Sequence, residues 1–64
     1  MRLIRLKEVM RLTGLARSTV YKVMGEGTFP GSVPLGGKAV AWVESEINDW
    51  ILARLQERES RPVH

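Results

Sequence analysis

The sequence predicts a small, mainly α-helical domain completed by a β-hairpin, and three observations carry that expectation. Apolar residues recur at helical spacing in three separate stretches. Glycines and prolines punctuate the gaps, at Gly14, from Gly25 to Gly31 and from Pro34 to Gly37. Between Ser32 and Val43 the pattern changes to an alternation of period two. Sixty-four residues make one domain, expected over 1–58, followed by a charged tail over 59–64 that should fray.

Taken in order, Leu3-Ile4-Arg5 is a brief strand leading into a helix. Leu6, Val9, Met10 and Leu12 share one helical face across Lys7 to Thr13, and Gly14 stops that helix in the position just past its last turn. A second helix is expected from Arg17 to Glu26, ended by Gly27 with Pro30 close behind. On its wheel Val20, Val23 and Met24 form a packing stripe, while Arg17, Ser18, Tyr21, Lys22 and Gly25 occupy the other side. Val33 and Leu35, then Val40 and Trp42, alternate on either side of Gly36-Gly37-Lys38, which describes two strands and a tight turn. Pro34 has no amide hydrogen to donate, so its strand belongs at a sheet edge or pairs only partly. In the third helix Ile47, Trp50, Ile51 and Leu55 form the apolar face, with Glu44 and Glu46 complementing the helix dipole. Trp42 and Trp50 are both expected in the core with Val20, Val23, Ile47 and Ile51. Two helices joined by a turn at Gly14-Leu15-Ala16, with a hairpin beside the second, form a winged helix-turn-helix.

Composition narrows the function. There is no cysteine, and the single histidine, His64, is the last residue, so neither a disulfide, a metal site nor a Ser-His-Asp arrangement is expected. Gly36-Gly37-Lys38 lacks the glycine spacing and the following Ser/Thr of a phosphate-binding loop. A core this small leaves little surface for a substrate pocket, which argues against an enzyme, and no cofactor is expected. Charges interrupt the N-terminal apolar residues, and no apolar run approaches the ~20 residues of a membrane span, so a soluble cytoplasmic protein is expected.

Charge gives the positive indication. The net is +3, but residues 1–43 carry seven Lys/Arg against two Asp/Glu, and residues 44–64 carry three against five. A basic front points to a polyanion, double-stranded DNA foremost. Arg17, Ser18 and Thr19 open the second helix, and Tyr21 and Lys22 follow. Arginine can take guanine bidentately, hydroxyls can bond bases or phosphates, and a tyrosine ring can meet thymine methyls. Lys38 at the hairpin tip is placed for the sugar-phosphate backbone. The DNA-contacting set expected from the sequence is therefore Arg17, Ser18, Thr19, Tyr21, Lys22 and Lys38.

Arg2 to Val9, Thr13-Gly14-Leu15, Arg17 to Tyr21, Gly27, Phe29-Pro30, Leu35-Gly36, Ala39 to Trp42 and Glu44 to Ile47 with Trp50 together resemble the AlpA family of phage and prophage transcriptional regulators. The resemblance spans roughly residues 2 to 58. It implies a MerR-like DNA-binding domain, similar also to phage excisionases, in a regulator carried by a mobile element. Two departures are visible. Ala16 stands where family members usually have the serine that caps the second helix, and Gly31 and Pro34 stand where many are basic. Within DNA binding the alternative is an excisionase-like factor that bends DNA for an integrase; outside it, a small protein-interaction adaptor. Self-association through the exposed side of the third helix, or a cooperative array on repeated sites, would strengthen a weak single contact. Integrase and RNA polymerase are the protein partners the resemblance implies.

Overall fold

The computed structural model describes residues 1–60. Its elements run β1 (Leu3–Ile4), α1 (Leu6–Thr13), α2 (Arg17–Gly25), β2 (Val33–Gly36), β3 (Ala39–Val43) and α3 (Glu44–Ser60). The fold is mainly helical with one small antiparallel sheet, an arrangement compatible with a winged helix-turn-helix. The strand order is β1-β3-β2, so the short N-terminal strand joins the hairpin as a third strand. Ile4 lies opposite Trp42 and Leu3 opposite Val43, which ties the start of the chain to the strand that leads into α3.

Both turns that stop the first two helices are specified locally. Gly14 adopts φ 74 and its N–H donates to the Met10 carbonyl at 2.8 Å, the single-bond left-handed cap. Thr13 Oγ1 donates back to the Val9 carbonyl and accepts from the Leu15 N–H, which fixes the chain between the helices. Helix α2 ends one residue earlier than expected. Gly27, at φ 76, donates to the Met24 carbonyl and Thr28 donates to the Val23 carbonyl, the paired bonds of a Schellman motif.

The hairpin departs from simple alternation at one place. Pro34 pairs with Val40 and Gly36 with Ala39, leaving Leu35 as an extra residue on β2. This bulge breaks the period-two register, so Leu35 is exposed rather than facing inward with Val33. As expected for a strand containing Pro34, β2 lies at the sheet edge.

Ile4, Val9, Val20, Phe29, Ala41, Trp42 and Ile47 are buried, with Trp42 and Ile47 completely enclosed. The expected core needs three corrections: Trp50, Val23 and Ile51 are only half-buried and pack against the core from outside. Leu55, expected on the apolar face of the third helix, is exposed. The reason lies in α3, which rests on the sheet by its first turns only. Trp50 therefore sits at the rim, its ring edge-on to Phe29 at 4.9 Å and beneath the Arg54 guanidinium at 5.3 Å. Its indole N–H donates to the Thr28 carbonyl at 2.7 Å, a polar requirement easily met at a rim. Phe29, set in the loop after α2, takes the enclosed place instead. Helix α3 runs on through Glu57 to Ser60, two residues into the charged tail. Leu55-Gln56-Glu57-Arg58 are good helix formers, and Arg54 pairs with Glu57 at 3.2 Å one turn on. Arg61 to His64, including the expected frayed end and the single histidine, lie outside the described residues. The body measures 47 × 25 × 19 Å. Among the described residues no helix is long and apolar enough to cross a membrane.

Candidate nucleic-acid interface

Arg17 and Tyr21 lie at i and i+4 on α2, so their side chains leave the helix together near its start. The chain turns through Phe29 and the bulged hairpin to bring the tip residue Lys38 to the same place. These three line a cleft of about 340 Å³ with Arg5, Lys7 and the apolar Leu6 and Val40. Four cations and no carboxylate border it. The cleft thus gathers three residues singled out from the sequence, drawn from α2 and the hairpin turn. Ser18 and Lys22 are exposed on α2 but outside this lining, and Thr19 is half-buried.

Tyr21 is held by the core beneath it. Its ring meets Trp42 edge-on, with centroids 6.5 Å apart and planes 64° apart, while the residue keeps 43% of its surface exposed. A side chain so fixed loses little freedom when it meets a ligand. Arg17 has no ion-pair partner among the described residues, which leaves its guanidinium donors available.

Arg5 and Lys7 line the cleft but were not among the residues expected from the sequence. The signal for them lies in the helix dipole: Arg5 is the N-cap of α1 and Lys7 is in its first turn, where a cation faces the positive helix end. Arg17 repeats this at the start of α2, whose first turn holds no acidic residue. The first turn of α1 also holds Glu8, so the start of α2, with Arg17 and no acidic residue, is the helix end at this cleft that more strongly suits an anion. Among the described residues no group of three or more His, Cys, Asp or Glu gathers as a metal site would require.

Helix α2 also starts without help. Its N-cap, Ala16, is extended (φ −72, ψ 158) and offers no side-chain hydrogen bond. Ala16→Ser should add a hydroxyl acceptor for the Thr19 N–H and raise stability by ~1 kcal/mol. A thermal melt would show it as a higher midpoint, and an unchanged midpoint would mean that water already caps the helix equally well.

On the outer side of α1 Arg11 forks onto Glu8 through Nε and Nη2. That hydrogen bond holds the Glu8 carboxyl below its ordinary range and raises Arg11 further. The contribution of this pair is present above the ordinary glutamate pKa and is lost as pH falls through the lowered value.

Residues 2–55 match the family model described as prophage CP4-57 regulatory protein (AlpA). The chain is 48% identical over 58 residues to the protein ORF88 of Enterobacteria phage P4, an alignment covering 91% of this chain and 66% of that protein. It is 39% identical over 59 residues to the DNA-binding transcriptional activator AlpA of Escherichia coli (strain K12), covering 83% of this chain and 84% of that one. A match over most of the chain, with a relative this similar along most of its own length, establishes that the chain belongs to the AlpA family of prophage regulatory proteins.

Proposed function

We propose that this protein is a sequence-specific DNA-binding transcriptional regulator of a phage, prophage or other mobile element. It acts as a MerR-like winged helix-turn-helix: α2 enters the major groove and the β2–β3 turn lies on the backbone. The observation that carries this reading is the cleft that sets Arg17 and Tyr21 beside Arg5, Lys7 and Lys38 with no carboxylate among them. Such a surface can do two things at once. Arg5, Lys7 and Lys38 meet phosphates, while Arg17 and Tyr21, on the first turns of α2, extend toward base edges. The AlpA relative, by its name a DNA-binding transcriptional activator, supports the same partner and the same kind of output.

The test is a salt titration on duplex DNA selected in vitro for binding. The three cations assigned to phosphates, Arg5, Lys7 and Lys38, at roughly −0.9 each give an expected slope near −3 in log K against log[salt]. A flat response, or equal affinity for an acidic protein, would turn the reading toward an interaction adaptor.

A further inference from the structure

A second groove, of about 440 Å³, runs between β1 and α1 and is lined by Arg2, Leu3, Arg5, Lys7, Glu8 and Arg11 together with Ile4. It shares Arg5 and Lys7 with the cleft beneath α2, so the two are one continuous surface. Together they use six of the ten Lys/Arg of the chain, Arg2, Arg5, Lys7, Arg11, Arg17 and Lys38, against two carboxylates, Glu8 in the lining and Glu44 paired with Arg2 at the rim. We propose that this second groove extends the DNA contact, taking the sugar-phosphate backbone that flanks the site α2 reads. The inference rests on the DNA-binding reading above and adds a reach beyond the recognition helix.

The two outer arginines are built for such a contact. Arg2 is held by Glu44, Nη1 to Oε2 at 2.6 Å, and its side chain is 66% exposed. Arg11 is held by Glu8 through Nε and Nη2 and its side chain is 71% exposed. A guanidinium has five N–H donors, so one carboxylate leaves part of each fork free: Nε and Nη2 on Arg2, Nη1 on Arg11. The carboxylates fix the two heads at the groove rim, which removes part of the ordering cost when a phosphate arrives. Leu3, exposed at the same groove, offers an apolar floor for deoxyribose. The surface is thus suited to backbone and carries no group placed for reading bases.

The experiment compares two duplexes, one ending at the edges of the selected site and one extended by about ten base pairs, roughly one helical turn, on each side. For the wild type, removing the flanks should weaken binding about tenfold. For the Arg2→Gln/Arg11→Gln double variant the flanks should make no difference, and the salt slope on the long duplex should be smaller by about two. Arg58→Gln, the same charge change far along α3, should behave as wild type. Loss of the Arg2–Glu44 pair could disturb β1, so Arg11→Gln alone, on an exposed helix face, serves as the second variant with an expected slope change of about one. If both variants keep the wild-type flank dependence and slope, the groove is not a DNA contact and an acidic protein segment becomes its candidate ligand. A wild-type protein with no salt-dependent DNA binding would overturn the proposed function, and this inference with it.

Discussion

Trp42→Ala should abolish the cooperative fold. The side chain is completely enclosed, sits on the central strand β3 opposite Ile4, and joins the one core cluster formed with Val9, Val20, Phe29 and Ile47. Truncating a buried tryptophan costs ~3 to 5 kcal/mol. At roughly 0.05–0.15 kcal/mol per residue, a domain of this length holds about 3 to 10 kcal/mol in all. The expected melt of the variant by circular dichroism is therefore broad or absent at room temperature. Trp42→Phe should retain a cooperative transition. The Trp42 indole N–H is buried with no hydrogen-bond partner among the described residues, so the phenyl ring forfeits no bond and leaves only a modest cavity. Trp50→Ala should cost less than Trp42→Ala, because its side chain is already partly exposed to water. A Trp42→Ala protein melting cooperatively within ~1 kcal/mol of wild type would show that the core is centred elsewhere.

Arg17→Ala should lower affinity for the preferred DNA site by ~1 to 3 kcal/mol and for random duplex by much less, narrowing the specificity ratio. Lys38→Ala should weaken both duplexes by a similar, smaller factor and reduce the salt slope by about one. The structure supplies the reason for the contrast. Arg17 stands in the first turn of α2, the element slim enough for the major groove, whereas Lys38 is at the tip of a two-strand hairpin on the far side of the cleft. Paired titrations of specific and scrambled duplex at two salt concentrations check both variants. If Arg17→Ala weakens the two duplexes equally while Lys38→Ala alters site preference, the hairpin reads the sequence and α2 only positions the protein.

Elements governed by local rules were legible in the sequence. Gly14 and Gly27 mark the ends of α1 and α2 because a residue without a side chain takes the left-handed caps found there without steric cost. Pro34 marks an edge strand because it cannot donate to a ladder. Arg17, Tyr21 and Lys38 were legible as a set because helix spacing and a turn placed them on exposed sides. What depended on long-range geometry was not legible. The bulge at Leu35 follows from how β2 meets β3, and a period-two pattern contains no trace of it. Trp50 sits at the rim although its helical spacing placed it inward, and Phe29, which belongs to neither a helical nor a strand pattern, is enclosed. Arg5 and Lys7 join the cleft through the packing of α1 beside α2, and in the linear sequence only their place at a helix start sets them apart from other charges near a terminus.

The two tryptophans differ in one more respect, which makes the molecule its own optical probe. Trp42 is sealed from water and Trp50 is partly open, stacked under Arg54. Their emissions should separate into a blue component resistant to a soluble quencher and a redder one that the quencher removes. Tyr21, 6.5 Å from Trp42, transfers its excitation there, and it is also the aromatic residue of the cleft. Occupation of the cleft would change that transfer while the Trp50 signal stayed fixed. One unlabelled chain could thus report ligand binding through its first tryptophan and the docking of α3 through its second.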